Sequence, residues 1–236
     1  MTMQTTWNIF KKELKTFFVS PVAYIVIVIF LVVVGWFFFS PFFLMGRADM
    51  RDFFSLLPIM LVFVVPAVTM RLFSEEFSIG SYEILTTLPV THIDILLGKY
   101  LAALSFVMVM LAPTISYPIF ISSLGELDWG PVLGGYLGAF FLSAVYTSIG
   151  IFASSITKNQ IIAFIAAMAI CFFFFFIDKA LVLMPAFLAS FLQFLGVDFH
   201  FRNITKGIID SRDIVYFLSV SAAALTVTYI VIQERQ

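Results

Sequence analysis

Charge is what this sequence holds least of. Asp, Glu, Lys and Arg make up 11% of its 236 residues, where a soluble domain carries roughly 25%. A chain so poor in charge cannot coat a water-facing surface of its own size. Cysteine is almost absent. Cys171 stands alone inside an apolar run, so no intrachain disulfide can form and the redox compartment is not readable. Histidine occurs twice, at His92 and His200, too far apart in sequence to suggest a metal pair or a catalytic triad. Acidic and basic residues nearly cancel, at −1. With no basic cluster and no zinc-ligand spacing, nucleic acid is excluded as a partner. Gly98-Lys99-Tyr100 looks like the end of a phosphate loop, but the Gly five residues earlier and the following Ser or Thr are both missing. Ser143, Thr147 and Ser148 have no partnering base and read as helix-packing residues. An intramembrane enzyme is therefore disfavoured, and neither a metal nor a cofactor is expected in this chain.

What is present is apolar. Hydrophobic residues reach 62%, Phe alone numbers 31, and the mean hydropathy is +1.09. Several runs reach the roughly 20 residues that a helix needs to cross a bilayer. Six spans are predicted, at about Val22–Met45, Phe53–Phe73, Leu96–Ser122, Val132–Ile156, Gln160–Ile177 and Ile214–Ile232. The fold class is thus all-α, a polytopic membrane protein read as one domain over 1–236. The first apolar run is too long for a cleavable signal peptide.

The segment 1–20 reads differently. Trp7, Phe10, Leu14, Phe17 and Phe18 recur at helical spacing, with Lys11, Lys12 and Lys15 off that stripe. This predicts an amphipathic helix in the membrane interface; the plainer alternative is an extension of the first span. Ser20-Pro21 ends it and restarts a helix, with Ser20 as N-cap. Basic residues near the spans are almost evenly divided between the two sides. The N-terminal lysines therefore decide the orientation, with both termini cytoplasmic. The loop 178–213 is then extracytoplasmic. Its stretch Ala180–Phe194, broken by Pro185 and closed by Gly196, fits a re-entrant or interfacial segment. A seventh span there would invert the C-terminus.

The loop 74–94 carries the most information. Gly80 can end the helix leaving span two. A short helix fits Ser81–Leu88, stopped by Pro89, and Thr91 with Asp94 makes a capping box for the helix entering span three. A short helix held between two stiff ones can pass on a push from a docked protein; the plainer reading is a solvated loop. Pro58 and Pro66 inside span two remove backbone hydrogen bonds and are candidate hinges, or static kinks used for packing. The spans hold few ionisable groups away from their ends, so transport driven by an ion gradient is not expected.

Glu75, Glu76, Gly80, Glu83, Leu85 and Pro89, followed by Gly98-Lys99, resemble the signature region of the type-2 ABC transporter permeases. Lys12-Glu13-Leu14 with Ser20-Pro21-Val22-Ala23-Tyr24 is similar to the branch associated with gliding motility. So is His200-Phe201 through Gly207-Ile208-Ile209-Asp210 to Asp213 and Tyr216. Phe77 and Ser81 stand where that family often has a basic residue and Thr, which makes the surface less polar. The resemblance implies a non-catalytic permease subunit of an ATP-driven exporter. Its partners would be a cytosolic ABC ATPase that binds ATP and Mg, a second permease chain, and the lipid membrane. The coupling residues would be Glu75, Glu76, Gly80, Ser81, Glu83, Leu85, Leu88 and Pro89. The alternative is a transmitter that passes ATPase-driven motion to an extracytoplasmic protein without transport.

Overall fold

A computed structural model describes residues 2–45, 49–87, 89–180, 193–208 and 210–234. The described residues form helices and no strand. In chain order they are α1 (Thr2–Val19), α2 (Pro21–Met45), α3 (Arg51–Thr69), α4 (Arg71–Ile79), α5 (Ser81–Thr86) and α6 (His92–Leu111). A 3₁₀ turn (Ala112–Ile115) leads into α7 (Ser116–Ser122), followed by α8 (Trp129–Ile156), α9 (Gln160–Ala180), α10 (Val197–Thr205) and α11 (Ser211–Gln233).

Six of these stretches are long and apolar enough to cross a membrane: Pro21–Leu44, Arg51–Ile79, His92–Ser122, Trp129–Ile156, Gln160–Ala180 and Ser211–Gln233. They match the six expected spans, and the protein is an all-α, multi-pass membrane protein. Two of them run past the expected limits. The second continues through α4 and the third begins at the Thr91 cap, so both project beyond the roughly 30 Å of hydrocarbon that about 20 helical residues cover.

The helix α8 is the hub, packed against α3, α4, α6, α9, α10 and α11. In its most apolar window 78% of residues are buried, against 22% for α2, 28% for α9 and 17% for α11, so the outward faces of those three have no partner among the described residues. Small residues let α8 come close to its neighbours. A Cβ on Gly150 would sit 2.0 Å from Thr69 Oγ1 of α3. One on Gly134 would sit 2.3 Å from the Ile204 carbonyl of α10.

Met3 of α1 and Tyr229 of α11 line one cleft of about 1030 Å³, so both chain ends lie at one end of the bundle, here called proximal. At the other, distal end, α10 runs antiparallel along α8: Ile204 lies at Gly134 and Phe201 at Gly138. Its nine residues rise about 13 Å. Of the expected re-entrant stretch Ala180–Phe194 only Ala180, Gln193 and Phe194 are described, because residues 181–192 lie outside the described residues.

The prolines of α3 do not interrupt it. Pro58 and Pro66 are both buried inside a continuous helix. The interruption falls at Met70, whose φ of −52° and ψ of −33° remain helical while the hydrogen-bond ladder changes partners. Ser154 Oγ of α8 accepts from the Phe73 and Ser74 amides, at 3.0 and 3.1 Å, and donates to the Met70 carbonyl at 2.8 Å. One hydroxyl thus joins the α3–α4 break to the hub.

Candidate functional site

The proximal end carries the segment that the sequence singles out. Gly80 closes α4 in the left-handed region, at φ +72°, which L side chains adopt only with strain. The short helix α5 starts at the next residue, Ser81. Thr91 then caps α6: its hydroxyl accepts from the Asp94 amide at 3.2 Å, and Asp94 accepts from the Thr91 amide at 3.3 Å. Helix, break, short helix, break and helix follow in the expected order. The described short helix ends at Thr86, and Leu88 lies outside the described residues.

One face of α5 is fixed by Tyr82, which is buried. Its ring meets Phe77 edge-on at 4.9 Å, and its hydroxyl lies 3.3 Å from His92 Nδ1. Burial first, and the Glu76 charge second, push the Tyr82 phenol up to about 12. The opposite face points outward. Glu83 and Pro89 are exposed, Ile84 is 69% exposed, and Ser81 and Leu85 are half-buried. Beside it, Gly80, Tyr82 and Glu83 share a groove of about 560 Å³ with Ile156 and Lys158 of the α8–α9 turn.

The two neighbouring acids divide in role. Glu75 is exposed. Glu76 turns inward, where Lys99 Nζ donates to its Oε1 at 2.7 Å. Lys99, whose side chain is 1% exposed, also donates to Glu13 Oε1 at 3.1 Å and to the Leu72 carbonyl at 2.8 Å. All three ammonium protons are therefore used. The ammonium also lies 5.3 Å from the centre of the Phe73 ring. This one cation ties α1, α4 and α6 together. Glu76 is thus an internal strut of the site, and of the two acids Glu75 is the exposed one.

The N-terminal helix supplies the third side. Thr6 donates to Asp94 at 2.7 Å, Ile9 lies against Gly98, Glu13 meets Lys99, and Phe17 stacks on Phe106 at 5.0 Å. The order of these contacts makes α1 and α6 parallel neighbours. Gly98 has a definite task in this pair, because a Cβ there would fall 2.7 Å from Ile9. The expected apolar stripe is rotated. Ile9, Glu13 and Phe17 are buried, Phe10, Leu14 and Phe18 are half-buried, and Trp7 is exposed, with the Lys11 ammonium 5.2 Å from its ring centre. Lys12 and Lys15 are exposed.

Sequence reasoning put no weight on Glu13, Tyr82 or Ser154 as contacts. Glu13 was findable, because it lies four residues from Ile9 and four from Phe17 on one helical face. Ser154 was not, because nothing local separates it from the other hydroxyls of α8. Among the described residues the site is a short helix with one anchored face, and a buried ion cluster joining the helices around it. No family model matches this chain, and no curated protein matches it.

Proposed function

We propose that this chain is the permease subunit of an ATP-binding cassette exporter of the type-2 kind, driven by a separate cytosolic ATPase that docks on α5. The observation that supports it most is the two-sided build of α5. Its inner face is locked by Tyr82 to Phe77 and His92, and its outer face presents Glu83 and Ile84. A push on that face passes through Tyr82 to α4 and through Lys99 to α6 and α1. The change of hydrogen-bond partners at Met70 gives α4 a place to move against α3. Glu75, Glu83 and the groove toward Lys158 form the polar contact, and Ile79 and Ile84 the apolar one. The exposed faces of α2, α9 and α11 offer surface for lipid and for a second permease chain. On this reading the proximal end is cytoplasmic, and ATP and Mg are held by the ATPase.

The test is copurification with the ATPase encoded nearest to it. Reversing Glu75 and Glu83 to Arg should release the ATPase or abolish its stimulation. A desolvated contact charge is worth a few kcal/mol, whereas a solvated one is worth less than about 0.5 kcal/mol. Wild-type copurification and turnover in the double reversal would sink the proposal. The second reading, motion passed to an extracytoplasmic protein, is favoured by the dense ionic packing of the distal end. It predicts ATPase docking without any substrate released into vesicles.

A further inference from the structure

The distal ends of α9, α10 and α11 meet in a cluster of ionisable side chains that plays no part in docking. His200 of α10 and Asp213 of α11 are both buried, with His200 Nδ1 2.6 Å from Asp213 Oδ1. The other ring nitrogen, Nε2, faces the Phe194 carbonyl at 3.1 Å. A carbonyl can only accept, and an ionised carboxylate can only accept. Each ring nitrogen therefore needs its own hydrogen, and a neutral imidazole has only one to give.

The surrounding charges lead to the same count. From α9 come Asp178 and Lys179, and from α10 Asp198 and Arg202. Asp198 Oδ2 lies 2.9 Å from Lys179 Nζ and 2.7 Å from an Arg202 guanidinium nitrogen. Asp178 accepts from the Phe199 amide at 2.6 Å. From α8, Tyr146 brings a buried hydroxyl and no charge. Three carboxylates thus face two fixed cations, and a proton on His200 supplies the third positive charge. The Tyr216 ring stacks on His200 at 3.9 Å between centres, a face that favours a cation. Asp213 Oδ2 has no hydrogen-bond partner among the described residues, which leaves His200 as the group that balances this buried carboxylate.

We propose that His200 and Asp213 form a proton-binding site, in which a buried imidazolium holds the turn entering α10 against α11. His200 Nε2 grips the Phe194 carbonyl, and Tyr216 donates to the Leu195 carbonyl at 2.6 Å, so both carbonyls of the turn are held from this pair of helices. Loss of the proton would leave one ring nitrogen bare, against either the Asp213 carboxylate or the Phe194 carbonyl, and one negative charge in excess. The link from the turn through His200 to α11 would then be broken. The proposal is independent of the transport reading, since it needs only the geometry of α9–α11.

The experiment is nitrogen NMR of the full chain in lipid nanodiscs, labelled with ¹⁵N-histidine. His92→Gln leaves His200 as the sole signal. At neutral pH both His200 nitrogens should resonate as N–H. A lone-pair nitrogen there would overturn the proposal, whatever the state of Asp213. In Asp213→Asn the amide can donate to a bare Nδ1, so a lone-pair nitrogen signal should replace the Nδ1 N–H signal. An unchanged spectrum would remove Asp213 from the site. Because the first readout needs no change in the cluster, a poorly folded Asp213 variant cannot rescue the idea.

Discussion

Replacing Lys99 with Met keeps the length of the side chain and removes its charge. It leaves Glu76, its side chain 16% exposed, without its cation, and Glu13, 10% exposed, with only the exposed Lys12 ammonium 3.6 Å away. It also strips the Leu72 carbonyl of its donor. Breaking a buried pair from one side costs about 3–5 kcal/mol. Here the two acids are near the rim, so about 2–3 kcal/mol is the better expectation. For a chain of this size that is a fall of roughly 4–12 °C in melting temperature. The protein carries its own reporter. Cys171 is the only cysteine and is fully buried, so a thiol-reactive fluorophore lights up only as the bundle opens. The decisive comparison is the triple variant Glu13→Gln, Lys99→Met, Glu76→Gln. With no charge left to strand, it should recover most of the loss. If Lys99→Met melts within about 2 °C of wild type, or if the triple variant is no better than the single, the cluster is not what ties α1, α4 and α6 together.

Ser154→Ala leaves the Phe73 and Ser74 amides without an acceptor and should cost about 1–3 kcal/mol in the same melt, whereas Ser155→Ala, whose hydroxyl only bonds back to Phe152, should cost much less. Gly80→Ala meets no atom within 4 Å, so its cost is backbone strain alone, about 1–2 kcal/mol; an unchanged melt would mean that the left-handed turn is not required. Tyr82 has its pKa raised from 10.0 to about 12, so the fold favours the neutral phenol. That stabilisation is full below 10.0 and is lost as pH climbs toward 12, and Tyr82→Phe should flatten this part of the stability–pH curve. For orientation, in a Cys171→Ala background, cysteines at Glu126 and Lys158 should react with an impermeant thiol reagent from opposite sides, Glu126 from outside; the reverse pattern would invert the protein.

The six spans, the Gly80 break and the Thr91–Asp94 cap were legible because each is written within one turn or one run of residues. Hydropathy fixes a span, a left-handed residue needs Gly, and a capping box needs four consecutive positions. The partners of Glu76 were not legible for the opposite reason. Glu75 and Glu76 are neighbours of the same type, and a rotation of 100° along α4 sends one to solvent and the other to Lys99. Only the placement of α1 and α6 decides which is which. The pair Gly98-Lys99 could be recognised as a pattern, yet its physical meaning, a close approach for Ile9 and a cation for two acids, exists only once three helices are assembled. The break at Met70 was not legible for a related reason. Proline marks a missing donor within α3, whereas the change of partners at Met70 is imposed by a hydroxyl 84 residues away in sequence.

The contacts of Lys99 and Ser154 also set an order for making the protein. Glu13 and Glu76 both precede Lys99 in the chain, so when this lysine leaves the ribosome its counter-charges have already been synthesised. The ion cluster can close as soon as α6 emerges. The α3–α4 break has no such advantage. Its amides stay without the Ser154 oxygen until nearly the whole of α8 has been synthesised. In the first three spans α4 is therefore held by the ion cluster, until the fourth arrives to complete the break.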